Sequence, residues 1–540
     1  MTDADEICDV LVAGSGSAGL VAALRASAAG LSTIILERTD LIGGTTAISG
    51  TAVWVPANHH AAAAGLSDDR ERALTYIRAA APEGWRETED ELWRSFVDEA
   101  PNMLAFLEKE TPLRFSLLSE ADPYPHKTGA MEVGRMLSPA VLRRKLAGPY
   151  ARSLRPPSLP HVFTFQEMLE VDPLHHPVRA VFKKSPQLFW RWLTGARGMG
   201  TALVTGLLKG CLDRGCRMAL GTRAVAPILE GGRVRGLVVE AAGRKRNILA
   251  RKGVVLATGG FEWDSERREK YFPGPCDFLG SPEGNDGDAH RIATAAGAAL
   301  AHMDQANITA GIPLNASRRP FGISYFVQEP NAIIVSRHGR RFVNEYRFNL
   351  GEVIDERDLS TGRPVHLPAW LVSDQAFLKN APVLRFFAAR NPGWVKKGKT
   401  IAELAEATRL PAEELARTVE RFNDFCASGV DEQFHREEPR LGAAKADPDR
   451  GRLSPIVKAP FIAIPFNRTI VSTKGGPRTD AAGRVLRPDG SLVEGLYCAG
   501  VAMANPIGTW AVGAGTTLGP NMTWGYICAK SIISRHDGTA

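Results

Sequence analysis

The sequence predicts an α/β protein: a dinucleotide-binding sheet domain laid down in two parts, with an α+β domain inserted before the part that closes it. Three stretches carry that expectation. Asp9 to Glu37 reads as an apolar strand, a glycine turn, an alanine-rich helix and a second apolar strand ending in an acid. Gly253 to Ala257 reads as a buried strand that runs into Thr258-Gly259-Gly260, and Gly495 to Ala529 holds 35 consecutive residues without a charge.

In the first stretch Gly14, Gly16 and Gly19 form G-x-G-x-x-G. Gly14 allows the tight turn, and Gly16 lets the backbone approach a pyrophosphate at the helix start beside Ser17 and Ala18. Gly19 lets helix and strand pack closely. Glu37, with Arg38 behind it, is placed to accept from a ribose hydroxyl. A second loop of small residues follows at once: Gly43, Gly44, Thr45 and Thr46, then Ser49 and Gly50. A nicotinamide site would simply continue its strand–helix–strand unit. Here the second loop lets the backbone close on a longer cofactor while threonine hydroxyls donate to phosphate or ring oxygens, which favours FAD over NAD.

The bulk properties fit an ordinary globular enzyme of more than one domain: 540 residues, 44% hydrophobic and 23% charged. The net charge of +7 is spread thinly over short clusters such as Arg143-Arg144-Lys145, which argues against a nucleic-acid surface. Seven cysteines without a C-x-x-C give neither a disulfide framework nor a zinc site. The acidic start runs straight into the first strand and leaves no room for a signal peptide, so a reducing cytoplasm is the expected compartment.

Helical spacing dominates residues 66 to 110. Val181 to Arg197 interleaves Phe182, Phe189, Trp190 and Trp192 with basic residues, a composition that suits a peripheral membrane contact, a lid over a substrate entrance, or a buried helix with snorkelling basic side chains. Residues 221 to 260 read as an antiparallel meander feeding the buried strand Gly253 to Ala257. Asn285 or Asp286 is placed to cap an alanine-rich helix. Helices are expected near 402 to 408 and 412 to 427, with a short strand at Ile333 to Val335. In the charge-free stretch, seven glycines with Pro506 and Pro520 argue against a membrane span. A strand to Gly500, a loop through Val512 and a helix from about Gly515 is expected instead. The division is therefore 1–298 for the first part of the cofactor domain, including a helical insertion at about 66–200, 299–464 for the inserted domain, and 465–540 for the closing part.

The segments VAGSGSAG, ERTDLIGGTTAISGTAVWVP, VVLATGGFE, GRRFVNE, STKGGPRTDAAGRVLRPDGSLVEGLYCAG and GAGTTLGPNMTWGY together resemble the flavoproteins that group fumarate reductase and succinate dehydrogenase subunits with 3-ketosteroid Δ1-dehydrogenases. The ketosteroid dehydrogenase branch is the most similar. The resemblance spans nearly the whole chain, least securely 111 to 200. It implies a two-part Rossmann-like FAD-binding domain, an inserted α+β catalytic domain and an active site between them. It also implies non-covalent FAD, because the loop GGTTAISG lacks the tethering histidine. Ala224, Ala257, Thr258, Gly259, Gly500, Gly515, Thr517 and Leu518 complete the expected cofactor-binding set.

By that resemblance the protein is an FAD-dependent dehydrogenase that introduces a C=C bond beside the ketone of a steroid or smaller alicyclic substrate. The base takes the α-proton and flavin N5 accepts the β-hydride. With no second glycine fingerprint for NAD(P)H, electrons leave to a quinone or another carrier. Tyr124 matches a tyrosine that assists the base, and Gly515 matches a glycine whose N–H holds the carbonyl. The family's base falls on Asn349 and its ketone-polarising tyrosine on Ala511. Tyr346 is the nearest replacement for the base, and Tyr325 a more distant one. Two other readings stand beside this one: a fumarate reductase-like reductase of activated alkenes, and a membrane-docked flavin electron-transfer protein. His59-His60, taken as an extended pair pointing opposite ways, and His175-His176 read as packing or surface residues, and no metal is expected.

Overall fold

The structure, a computed structural model, describes residues 5–314, 321–324, 329–437 and 452–536. Its centre is strand β1, Glu6–Ala13, whose residues Val10 to Ala13 are all buried. A strand with both faces covered belongs inside a parallel sheet. Helix α1, Ser17–Ala28, follows the glycine turn, and strand β2, Thr33–Leu36, returns beside β1 in parallel.

The rest of the sheet is gathered from far along the chain. The strand Arg244–Leu256 lies parallel to β1 on its other side, and Leu492–Cys498 lies beyond it, parallel to Arg244–Leu256. Arg217–Ala219 extends the sheet past β2. The meander forms as Thr222–Glu230, Arg233–Ala241 and Arg244–Leu256, each antiparallel to the next. The closing helix, Leu518–His536, packs on α1 so tightly that a Cβ at Gly525 would lie 2.2 Å from the Ala18 carbonyl oxygen. It begins three residues later than the sequence suggests. Neither Asn285 nor Asp286 caps the helix Asp288–Ala295; Gly287 occupies the N-cap position in a left-handed conformation, and Thr258 Oγ1 accepts the Ala289 N–H from a different segment.

Ile333–Val335, Trp370–Asp374, Phe461–Pro465 and Lys396–Gly398 form a separate antiparallel sheet, backed by the helices Ile401–Thr408 and Ala412–Ser428. A three-stranded sheet of Cys276–Leu279, Arg468–Thr473 and Ala306–Thr309 lies elsewhere in the chain order. It brings residues 307–309 beside 469–473, which places both at one end of the cavity described below.

The helices Pro177–Lys183 and Ser185–Thr194 depart from the buried-helix reading. Phe182 is 75% exposed and Trp192 74%, while Val178, Val181, Phe189, Trp190 and Leu193 are also exposed. The buried side chain on the second helix is instead basic: Arg191 makes paired bonds to Glu167 and a third to the Val162 carbonyl. A bidentate partner satisfies the guanidinium inside, so the aromatic rings remain outside. Among the described residues, no helix is long and apolar enough to cross a membrane.

Candidate active site

The C-terminal end of β1 opens into the glycine turn. Gly14 has φ of +111°, and a Cβ there would stand 2.2 Å from the Ala257 carbonyl oxygen, so the turn lies directly on the end of the neighbouring strand. Gly19 is equally constrained, its Cβ position being 2.0 Å from Gly14 O. Side chains stitch the two glycine loops together. Ser15 Oγ donates to Glu37 Oε2 at 2.5 Å and accepts from Gly43 N, and the Ser17 N–H donates to Thr46 Oγ1. The other Glu37 oxygen accepts from the N–H and hydroxyl of Thr39. Arg38 is held by Asp286, Asp288 and the Gly284 carbonyl.

From this turn a cavity of about 460 Å³ extends to residues 307–309 and 348–350 of the inserted domain. Its wall includes Gly14, Gly16, Ser17, Ala18, Glu37 and Arg38, then Gly44, Thr45, Thr46, Ser49 and Gly50. Ala224, Ala257, Thr258, Gly259, Gly500, Gly515, Thr517 and Leu518 also border it. Gly19 and Gly43 stand behind the wall, the first against Gly14 and the second against Ala47 and Val204. At the far end the wall is built from Asn307, Thr309, Phe348, Asn349, Ser472, Lys474, Thr509 and Ala511.

The two tyrosines assigned to proton transfer are not part of this wall. Tyr346 follows a turn in which its N–H donates to Asn344 Oδ1, and its ring lies 4.3 Å from the Arg436 guanidinium. That cation–π contact draws the ring into the Arg341–Glu345–Arg436 cluster. Tyr124 packs against the main core, beside Asp122 and its partner Arg135. Tyr325 lies outside the described residues. Asn349 does reach the cavity, and its Nδ2 donates to the Thr509 carbonyl. Gly515, at φ of +93°, fits only as glycine because a Cβ would lie 2.5 Å from the Ala52 carbonyl.

The histidine pair differs from the extended arrangement expected. His59 and His60 open a short helix capped by Asn58; their rings are 4.2 Å apart, and both Nε2 atoms face Glu108. A helix start turns consecutive side chains by about 100° rather than 180°. His175 sits between Asp172 and Glu329, at 2.6 and 3.1 Å.

The cavity suits FAD on its own chemistry. Two glycine turns offer close backbone approach, and Ser472 Oγ and Asn521 Oδ1 are buried on the wall with no hydrogen-bond partner among the described residues. Buried polar atoms left in this way call for a polar ligand. Asn521, Ser15, Arg155 and the residues of the far wall other than Asn349 and Ala511 escaped the sequence reading. Asn521 lies four residues past Thr517, whose carbonyl accepts its N–H, and Ser15 lies between Gly14 and Gly16, so both could have been found by spacing; the others are assembled by tertiary contacts.

Fold and cavity together define a flavoprotein of the dehydrogenase type. The family model described as an FAD binding domain matches residues 9–518. The chain is 34% identical to a 3-oxosteroid 1-dehydrogenase of Mycolicibacterium smegmatis, over 97% of each. It is 35% identical to a 4-oxocyclohexanecarboxylate 2-dehydrogenase of Sinomonas cyclohexanicum, over 98% of this chain and 93% of that protein. The solved 3-ketosteroid Δ1-dehydrogenase of Sterolibacterium denitrificans, in complex with 1,4-androstadiene-3,17-dione, superposes with a TM-score of 0.88 at 30% identity, over 98% of this chain and all of that one. The chain thus belongs to the FAD-binding family that contains the 3-oxosteroid 1-dehydrogenases, and its cofactor is FAD.

Proposed function

We propose that the protein desaturates the carbon–carbon bond beside the ketone of a steroid or smaller alicyclic substrate. The observation that carries this reading is one cavity that begins at the dinucleotide turn and ends among Asn349, Thr509 and Gly515, at positions matching the family's reacting centre. Bound FAD supplies a two-electron acceptor for hydride. Gly14, Gly16, Ser17 and Glu37 hold its dinucleotide end, and Thr45, Thr46, Thr517 and Leu518 lie further along. The Gly515 N–H holds the ketone oxygen, which stabilises the charge that develops there as the α-proton leaves.

Asn349 and Ala511 stand where the family carries two tyrosines, so a 3-oxosteroid loses both a phenolic base and a phenolic donor. Smaller ring ketones, such as the 4-oxocyclohexanecarboxylate acted on by the Sinomonas relative, are the first candidates. Anaerobic mixing of the FAD-loaded protein with steroid and small-ring ketones tests this by flavin bleaching. Bleaching with at least one cyclic ketone is the expected result. Bleaching with none, together with oxidation of the reduced protein by fumarate or an enone, would assign it to alkene reduction instead.

The helices at 177–183 and 185–194 support a peripheral contact with an anionic membrane. Their exposed Phe182, Phe189, Trp192 and Leu193 lie among the exposed Arg179 and Lys183, and Arg143 stands over Trp190. Aromatic rings beside basic residues form a surface that suits an anionic lipid boundary. A quinone dissolved there is the electron acceptor that this placement favours. Flotation with phosphatidylglycerol vesicles is expected, and loss of flotation in the Phe182→Ser/Trp192→Ser variant. A wild-type protein that stays at the bottom of the gradient overturns the contact.

A further inference from the structure

Among the described residues the cavity holds no tyrosine at the family's base position, which is Asn349, and neither Tyr124 nor Tyr346 borders it. Among the described residues the far wall is otherwise made of Asn, Ser, Thr and apolar residues, none of which exchanges a proton near neutral pH. Lys474 is the exception. It follows the strand Arg468–Thr473, borders the cavity, and is only 1% exposed.

Its Nζ donates to the carbonyls of Ile507 at 3.0 Å and Gly508 at 2.7 Å. Among the described residues no carboxylate pairs with it. The stoichiometry is informative. A neutral amine has two N–H groups and one lone pair; the two carbonyls use both N–H groups and leave the lone pair for a proton. Burial, with no acid to offset it, pulls the pKa from 10.5 down to about 7.

Among the described residues the ionisable groups beside it have other partners. Glu262 is buried under Thr473, accepting from its N–H, from Ser281 and from Asn285, and burial raises its pKa. His290 bonds the Gly475 carbonyl and is kept neutral, its pKa pushed down to about 4 by burial. Beyond Gln305, which receives the Lys474 N–H on its carbonyl, Glu89 binds both His302 and Arg478. Asp304 stays with the Gln305 amide.

We propose that Lys474 is the proton acceptor of the reaction, taking the ketone's α-proton on Nζ at the site where the family's tyrosine is absent. The proposal rests on the desaturation reading given above. The Cα–H bond breaks and its proton forms the third N–H of Lys474. The electron pair left behind becomes the new C=C bond as the β-hydrogen departs with its own pair, as hydride, to FAD, the oxidant. The ammonium then returns its proton to solvent. Once protonated, Lys474 still donates to both carbonyls, so the loop that carries Thr509 is held in either state.

Two measurements test the assignment. The first needs no turnover: Nζ of Lys474 is titrated by nitrogen NMR of lysine-labelled protein, with Lys474→Arg as the assigning blank. A midpoint near 7 is expected, and a midpoint near the ordinary lysine value of about 10.4 overturns the proposal. The second follows flavin bleaching by a ketone that the wild type accepts. The wild-type rate is expected to rise as pH passes through about 7, where the amine becomes neutral. Lys474→Arg keeps donors for both carbonyls but cannot accept a proton. It is expected to lose about 100-fold or more in bleaching rate at every pH, while FAD content and KM are retained. Lys474→Met serves as the second variant if the larger guanidinium displaces FAD. An arginine variant within threefold of wild type overturns the proposal. If no cyclic ketone bleaches the wild type, the desaturation reading fails instead, and the NMR midpoint still decides whether a neutral lysine lines the cavity.

Discussion

Asn349 Nδ2 donates to the carbonyl of Thr509 at 2.5 Å, tying the inserted domain to the segment that closes the FAD domain. The bond spans 160 positions of sequence and lies at the far wall of the cavity. Its neighbours strengthen the tie: Thr509 N–H donates to Gln305 Oε1, and Thr509 Oγ1 accepts from Ala306 N–H. Asn349 therefore shapes the substrate end although it cannot take a proton. A single neutral hydrogen bond contributes about 1 kcal/mol, roughly a fivefold change in a rate or binding constant. Asn349→Ala is expected to lower kcat/KM for an accepted ketone by about that factor. FAD content, read by absorbance, is expected to stay at the wild-type level.

Two glycines of the fingerprint separate folding from cofactor binding. At Gly19 a Cβ would overlap Gly14 O at 2.0 Å, so Gly19→Ala must push the helix off the strand. At Gly16 the nearest atom to a new Cβ is Thr46 Oγ1 at 3.9 Å, and the backbone is extended, with φ of −70°. Gly16→Ala is therefore expected to leave apoprotein stability within about 0.5 kcal/mol of wild type. It is expected to weaken FAD binding by tenfold or more, because the methyl occupies cavity space. Thermal unfolding of both apoproteins, with flavin titration, checks the contrast. Gly19→Ala is expected to lower Tm clearly, by the several degrees that about 1–3 kcal/mol represents.

The same contrast explains which parts were legible in the sequence. The turn at Gly14 to Gly19 and its flanking strands are local, since each residue's task follows from neighbours within a few positions. Antiparallel strands over 222–256 announce themselves by alternation broken at Gly231-Gly232 and Gly243. The substrate end has no such pattern. Lys474 sits in STKGGP, and its partners lie 33 and 34 positions further on, so its burial and its free lone pair exist only in three dimensions. Tyr346 shows the reverse: its position beside Glu345 is suggestive, but Arg436, 90 positions later, takes its ring. The exposed rings of residues 182–193 depended on whether Arg191 finds a buried acid, which Glu167 provides.

Arg135 anchors the wall behind the cavity. Its guanidinium binds Asp68 through two nitrogens and Asp122 through the third, with all three side chains buried. It also stands over the rings of Trp54 and Tyr76. Trp54 in turn packs under Gly513 and Gly519, and Tyr76 donates to the Val512 carbonyl. Removing the cation leaves two buried carboxylates facing each other. Arg135→Gln is expected to cost about 3–5 kcal/mol, read by urea unfolding of the holoprotein. The double variant Arg135→Gln/Asp122→Asn is expected to recover part of that loss, because one of the uncompensated charges is gone.

His175 gives the protein a stability term with a defined pH window. Burial alone would lower its pKa, but Asp172 and Glu329 outweigh burial and hold it up at about 9. In the unfolded chain the imidazole titrates near 6.5. The folded state therefore binds the extra proton between these values, so the contribution is fully present below about 6.5 and disappears as pH rises through about 9. Asp172 is partly exposed, which screens the pair, and a contribution of roughly 1–2 kcal/mol is a fair size after that discount. His175→Asn is thus expected to unfold at lower urea than wild type at pH 6. The gap should narrow steadily above pH 7 and close by about pH 10. A gap that stays constant over that range would mean that packing, and not the charge on His175, sets the difference.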